Sequence, residues 1–166
     1  IYPLTNVTYV FHFFLLLCYS SCMKNIFETK VYYSDTDAYG VVWHGAYLRW
    51  LEKGRVDLCN TLGLDLVSMK KMDILLPVTN MNVKYKASAK LDDAIIIETW
   101  IEKFNSLSVT FKQIIKSKET DKVFIEAVFD VVAISNAGKL YRRMPADLIE
   151  CFEKAVKDDE KSLVTC

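Results

Sequence analysis

The chain has 166 residues, of which 52% are apolar and 25% charged, and its 21 basic residues balance 21 acidic ones. That length fits one domain around one core. A formal charge of zero gives no overall field to attract nucleic acid or an anionic membrane surface, so neither is expected as a partner. The five cysteines, at positions 18, 22, 59, 151 and 166, are odd in number, scattered and without C-x-x-C spacing. This argues against a zinc site or a disulfide framework, and reduced thiols in a cytoplasmic protein are expected.

The first 22 residues differ from all that follow. Val7 to Cys18 is nearly all apolar and no charge precedes Lys24. The run lacks the basic start of a secretory signal, and its strongly apolar part is shorter than the ~18 to 20 residues a spanning helix needs. Residues 1–22 therefore read as an extension outside the working domain, which is expected to start at Met23. A membrane would enter only if that extension is a real anchor.

From Glu28 to Tyr33 the chain reads as a strand, and Ser34 to His44 follows with two carboxylates, Asp35 and Asp37, a turn glycine at Gly40 and one of the two histidines. A helix is expected from near Gly45 to Leu62, with Tyr47, Leu48, Leu51, Leu58 and Leu62 near the helical repeat and Gly63 as its stop. A helix start offers unpaired N–H groups and a positive dipole end, which can hold a carbonyl oxygen while a nearby carboxylate acts on its carbon. Aspartates are equally common in turns and at helix caps, so residue types alone leave structure and chemistry both open.

Leu66 to Met72 suggests a further short helix. Two alternating strands follow. Ile95, Ile97, Thr99 and Ile101 share one face of the first, and Leu107, Val109, Phe111, Gln113 and Ile115 one face of the second. Val123 to Ile134 is a third strand, and short turns at 103–106 and 118–121 make these a meander. After Pro145, a terminal helix is expected, with residues 158–166 as a charged tail. One helix followed by a run of long strands describes an α+β domain whose antiparallel sheet covers a single helix. The sheet's other face reads as apolar enough to need a partner.

The stretch Val31 to Arg55, V-Y-Y-S-D-T-D-A-Y-G-V-V-W-H-G-A-Y-L-R-W-L-E-K-G-R, resembles the start of the 4-hydroxybenzoyl-CoA thioesterase family of hotdog proteins, in particular its YbgC-type acyl-CoA thioesterase branch. Leu76-Pro77-Val78, Lys84-Tyr85-Lys86-Ala87 and Leu91-Asp92-Asp93 continue the resemblance, which runs roughly from Met23 to Leu140. It implies a hotdog fold over 23–157, a dimer or tetramer, no cofactor, and hydrolysis of acyl-CoA. Asp37 matches the catalytic carboxylate, as nucleophile or as base for water. The backbone N–H near His44 and Gly45 matches the group that polarises the thioester carbonyl. The His44 side chain stays open, because the benzoyl-CoA branch has tyrosine there.

Tyr39 and Trp43 are candidates for the acyl pocket or for packing of the turn. Arg142 and Arg143 are candidates for coenzyme A phosphates or for plain surface. Glu52 is a rival carboxylate, since a separate hotdog branch acts through a glutamate on the central helix. Ala38 replaces a proline of the benzoyl-CoA pattern and Tyr39 stands where a small residue is common, so a short or medium acyl chain is expected rather than an aromatic one. Alternatives within the fold are an acyl-carrier-protein or dihydroxynaphthoyl-CoA thioesterase, or a non-catalytic acyl-binding protein.

Overall fold

Strand alternation and the helical repeat dictate two layers, and the computed structural model, which describes residues 23–162 with side chains to Val156, has them. The order is β1 (Asn25–Lys30), a 3-10 turn (Tyr33–Asp35), α1 (His44–Thr61), α2 (Leu66–Lys71), β2 (Val78–Tyr85), β3 (Ala94–Phe104), β4 (Ser108–Ser117), β5 (Val123–Val132) and α3 (Ala146–Ser162). The five strands form one sheet in the order β1-β3-β4-β5-β2, antiparallel at every pairing. The apolar segment 1–22 lies outside the described residues.

The inner face carries Ile95, Ile97 and Ile101 of β3, Val109, Phe111 and Ile115 of β4, and Ile125, Phe129 and Val131 of β5, all buried. Helix α1 lies against them through Ala46, Tyr47, Leu51, Gly54 and Leu58. Gln113 sits on this same face with no exposure. Its amide donates to Leu51 O and to Thr99 Oγ1, at 2.8 Å each, which joins helix to sheet inside the core. A Cβ on Gly54 would lie 2.6 Å from Thr99 Oγ1 and 3.0 Å from Gln113 Nε2. Only glycine lets the helix come this close.

The structure departs from expectation in several places, among them Leu107, which is exposed and precedes β4 rather than joining its buried face. β1 begins and ends three residues before the strand read from the sequence, because the chain is already turning at Tyr32. Val78–Tyr85 is a strand that the periodicity did not reveal, since it is an edge whose residues are exposed apart from half-buried Val83. The outer sheet face is less apolar than expected: Glu98, Lys112, Lys116 and Glu126 stand among Ile96, Trp100, Ile114 and Val128. Cross-strand ion pairs satisfy it, with Glu98 bridging Lys24 at 3.2 Å and Lys116 at 2.9 Å.

Helix α3 also shares the core, with Leu148 and Phe152 fully buried and the Phe152 ring 6.3 Å from that of Phe104. It runs to Ser162, so the backbone at 158–162 is helical where a tail was expected.

Candidate active site

β1 delivers the chain to a turn whose two aspartates have different fates. The Asp35 side chain is buried, accepts the Tyr32 N–H at 3.0 Å through Oδ2 and receives Arg49 Nη2 at 2.7 Å on Oδ1. Asp37 is exposed. Its Oδ1 accepts the Tyr39 N–H at 2.8 Å, and Oδ2 has no protein donor among the described residues. Fully bonded, Asp35 cannot act on a ligand without breaking its contacts. Asp37 holds one oxygen in an Asx-type turn and presents the other.

The tip of the turn is closed by Gly40, whose φ of +74 favours glycine. The Asp37 N–H then bonds Val41 O at 2.9 Å, and Thr36 bridges Val42. Trp43 is the N-cap of α1 without a side-chain cap, so the His44 and Gly45 N–H groups precede the first helical hydrogen bonds and have no acceptor among the described residues.

Asp37 and His44 line one cleft of about 410 Å³ together with Val41, Tyr47, Tyr85 and Lys86. The Tyr85 hydroxyl lies 3.4 Å from the His44 carbonyl as donor. The Tyr47 hydroxyl accepts the Ala89 N–H at 2.8 Å and so fixes the loop after β2; burial raises its pKa above the ordinary phenol value. The cleft is therefore walled by the end of β2, floored by α1 and edged by the aspartate turn. It pairs an outward carboxylate with the positive end of an 18-residue helix, an arrangement suited to acting on a polarised carbonyl.

The other candidates are dispersed. Trp43 lies over Gly45, where a Cβ would meet the indole at 2.2 Å, and its ring is 5.4 Å from the His44 imidazole. Tyr39 is 90% exposed at the turn's tip and does not line the cleft. Arg142 and Arg143 are exposed and stand beside Met144, whose N–H bonds Ser106 in the β3–β4 turn. Within one chain that is the end of the sheet opposite the cleft, because β1 runs out against the start of β3.

Glu52 lines a different, more apolar cleft of about 280 Å³ with Arg55, Cys59, Met69, Phe111 and Val131. There the Arg55 guanidinium lies 4.2 Å from the Phe129 ring centroid, and burial pushes the Cys59 thiol up to about 11, which leaves it unreactive near neutral pH. Tyr85 and Lys86, which reasoning from sequence did not assign to a site, do line the Asp37 cleft. Their appearance in a quoted family motif was the available signal.

Comparison with known proteins places the chain among thioesterases. A putative esterase of Synechocystis is 32% identical over 111 residues, 66% of this chain and 67% of its own. The acyl-CoA thioester hydrolase YbgC of Escherichia coli is 30% identical over 125 residues, 75% of this chain and 92% of its own. Among solved structures, a DHNA-CoA thioesterase from Staphylococcus aureus superposes with a TM-score of 0.74 at 29% identity, over 84% of this chain and 95% of that one. The profile of the thioesterase-like superfamily matches residues 31–152, and the chain belongs to that superfamily, with its hotdog fold.

Proposed function

We propose that the protein hydrolyses acyl-CoA thioesters at the Asp37 cleft. The observation that carries this reading is the contrast between the two aspartates: Asp35 is buried and bonded, whereas Asp37 faces a cleft that also takes in the start of α1. The thioester carbonyl is set at the His44 and Gly45 N–H groups, which stabilise negative charge on its oxygen as the carbon is attacked. Asp37 attacks that carbon or accepts a proton from water that does so. The coenzyme A thiol, with a pKa near about 8.5, leaves as thiolate without a strong general acid. Trp43 does not line the cleft itself but covers Gly45 at the helix start, and from there it borders the acyl group; Arg142 and Arg143 reach the coenzyme A phosphates only from a second copy, given their position in one chain.

A short or medium acyl chain remains the proposed substrate. The likeness to the Staphylococcus aureus DHNA-CoA thioesterase favours a bulky aromatic thioester as the second reading. Thiol release measured with short, medium and dihydroxynaphthoyl-CoA esters, and with one acyl group carried on acyl carrier protein, tests the choice. Preference for the straight-chain CoA esters supports the first reading, and preference for the naphthoyl ester overturns it.

The working unit is proposed to be a homo-oligomer. Among the described residues β2 is bonded only to β5, and its other edge is open there, with Val78, Met81 and Tyr85 at least 42% exposed. An unpaired apolar edge is a site for self-association. Light scattering at micromolar concentration is expected to give a dimer or tetramer mass, and a stable protomer mass would contradict it. No helix among the described residues is long and apolar enough to cross a membrane, and the proposed setting is the cytoplasm.

A further inference from the structure

The proposed chemistry leaves one buried carboxylate unused. Asp35 is 6% exposed, and a charge in that position is costly unless it is paired and hydrogen-bonded. Its bonds run to the elements that carry the site. Oδ1 holds Arg49, in the second turn of α1, at 2.7 Å. Oδ2 holds the Tyr32 N–H at 3.0 Å, at the exit of β1. The Asp35 carbonyl accepts the Trp43 N–H at 3.0 Å, the residue before the helix start. Arg49 in turn lies 5.8 Å from the Trp43 ring, and that ring covers Gly45. One residue along, Thr36 bridges Val42, and two along, the Asp37 N–H bonds Val41 O.

We propose that Asp35, gripping Arg49, is a positioning residue that locks the Asp37 turn to the first turns of α1. The carboxylate and the helix N–H groups then keep one separation, and Trp43 is held over Gly45. This inference rests on the reading of Asp37 as the acting carboxylate. A misplacement of about 1 Å at a reacting centre can reduce turnover about 100-fold, so such a lock acts on rate more than on binding.

The test uses Asp35→Asn, Arg49→Gln and Arg49→Lys in the full chain, with melting curves for each. Asparagine keeps the acceptor for Tyr32 but loses the charge. Lysine keeps the positive charge and a nitrogen donor to replace the single Arg49 nitrogen at Oδ1.

Asp35→Asn and Arg49→Gln are expected to lower kcat about 10-fold or more with KM changed less than about 2-fold, the double variant to be no worse than either single one, and Arg49→Lys to recover most of the loss. Hydrogen exchange at the Trp43 and Asp37 amides is expected to speed up about 10-fold in Asp35→Asn, which reports the lock without any turnover. Native kcat with native exchange in a folded Asp35→Asn, a loss confined to KM, or Arg49→Lys as impaired as Arg49→Gln would overturn the inference. If Asp35→Asn does not fold, the Arg49 pair decides, since that side chain is 57% exposed. Native turnover in Asp37→Asn ends the reading of the site, whereas a collapsed Asp37→Asn beside an unaffected Asp35→Asn ends this inference alone.

Discussion

Asp37→Asn is expected to lower acyl-CoA turnover by about 100-fold or more while the fold survives. The asparagine amide oxygen can still accept the Tyr39 N–H that Oδ1 accepts at 2.8 Å, so the turn keeps its shape. What is lost is the negative charge on the outward oxygen, which is needed equally to attack a carbonyl carbon and to take a proton from water. Because Asp37 is exposed and away from the packed interior, its melting temperature should stay close to native. Glu52→Gln is the matched control. Glu52 borders the other cleft, beside Arg55 and Cys59, and its loss should leave turnover within a few-fold of native. Steady-state thiol release by both variants checks this, and the reverse pattern would move the chemistry to the middle of α1.

Gly54→Val is expected to cost about 3 kcal/mol or more of folding stability. Its first branch atom already falls 2.6 Å from Thr99 Oγ1 and 3.1 Å from Ile97 Cγ2, both on a buried strand that cannot retreat. Overpacking of this kind costs about 1–3 kcal/mol. Displacing Gln113 from Thr99 and Leu51 strands buried polar groups, at about 1–3 kcal/mol further. The gain in helix propensity over glycine, less than about 1 kcal/mol, does not offset this. Lys53→Ala, one residue earlier and facing solvent with its Asp57 partner, should change stability by less than about 1 kcal/mol. Urea unfolding of the two variants separates a packing requirement from general sensitivity of the helix. Equal, small losses would contradict the close approach.

Much of this was legible in sequence because the governing interactions are local or periodic. β3, β4 and β5 alternate between core and outer face, as their residues announce, and α1 starts one residue before the reading. β2 was illegible for a physical reason. An exposed edge strand, V-T-N-M-N-V-K-Y, has no buried face to enforce alternation, so its pairing to β5 is a tertiary fact. The same holds for the aspartates. Asp35 and Asp37 are identical residues two apart in one turn, and it is the contacts of Asp35 with the Tyr32 N–H and with Arg49, fourteen residues on, that set it apart as the bonded one. Gln113 fell at an apolar position of its strand, and its amide has a purpose only once Gly54 brings α1 down upon it. Arg142 and Arg143 could be placed after the last strand, but not at a particular end of the sheet, without the topology.

Whether this chain breaks thioesters rather than merely holding them is decided by the release of free thiol from acyl-CoA by the native protein, followed against time and substrate concentration. Catalytic release is expected to saturate with substrate, to yield free acid and coenzyme A in equal amounts, and to continue through many turnovers per protomer. Saturable binding of the same acyl-CoA esters with no thiol release would contradict it and leave the protein an acyl-binding member of the superfamily.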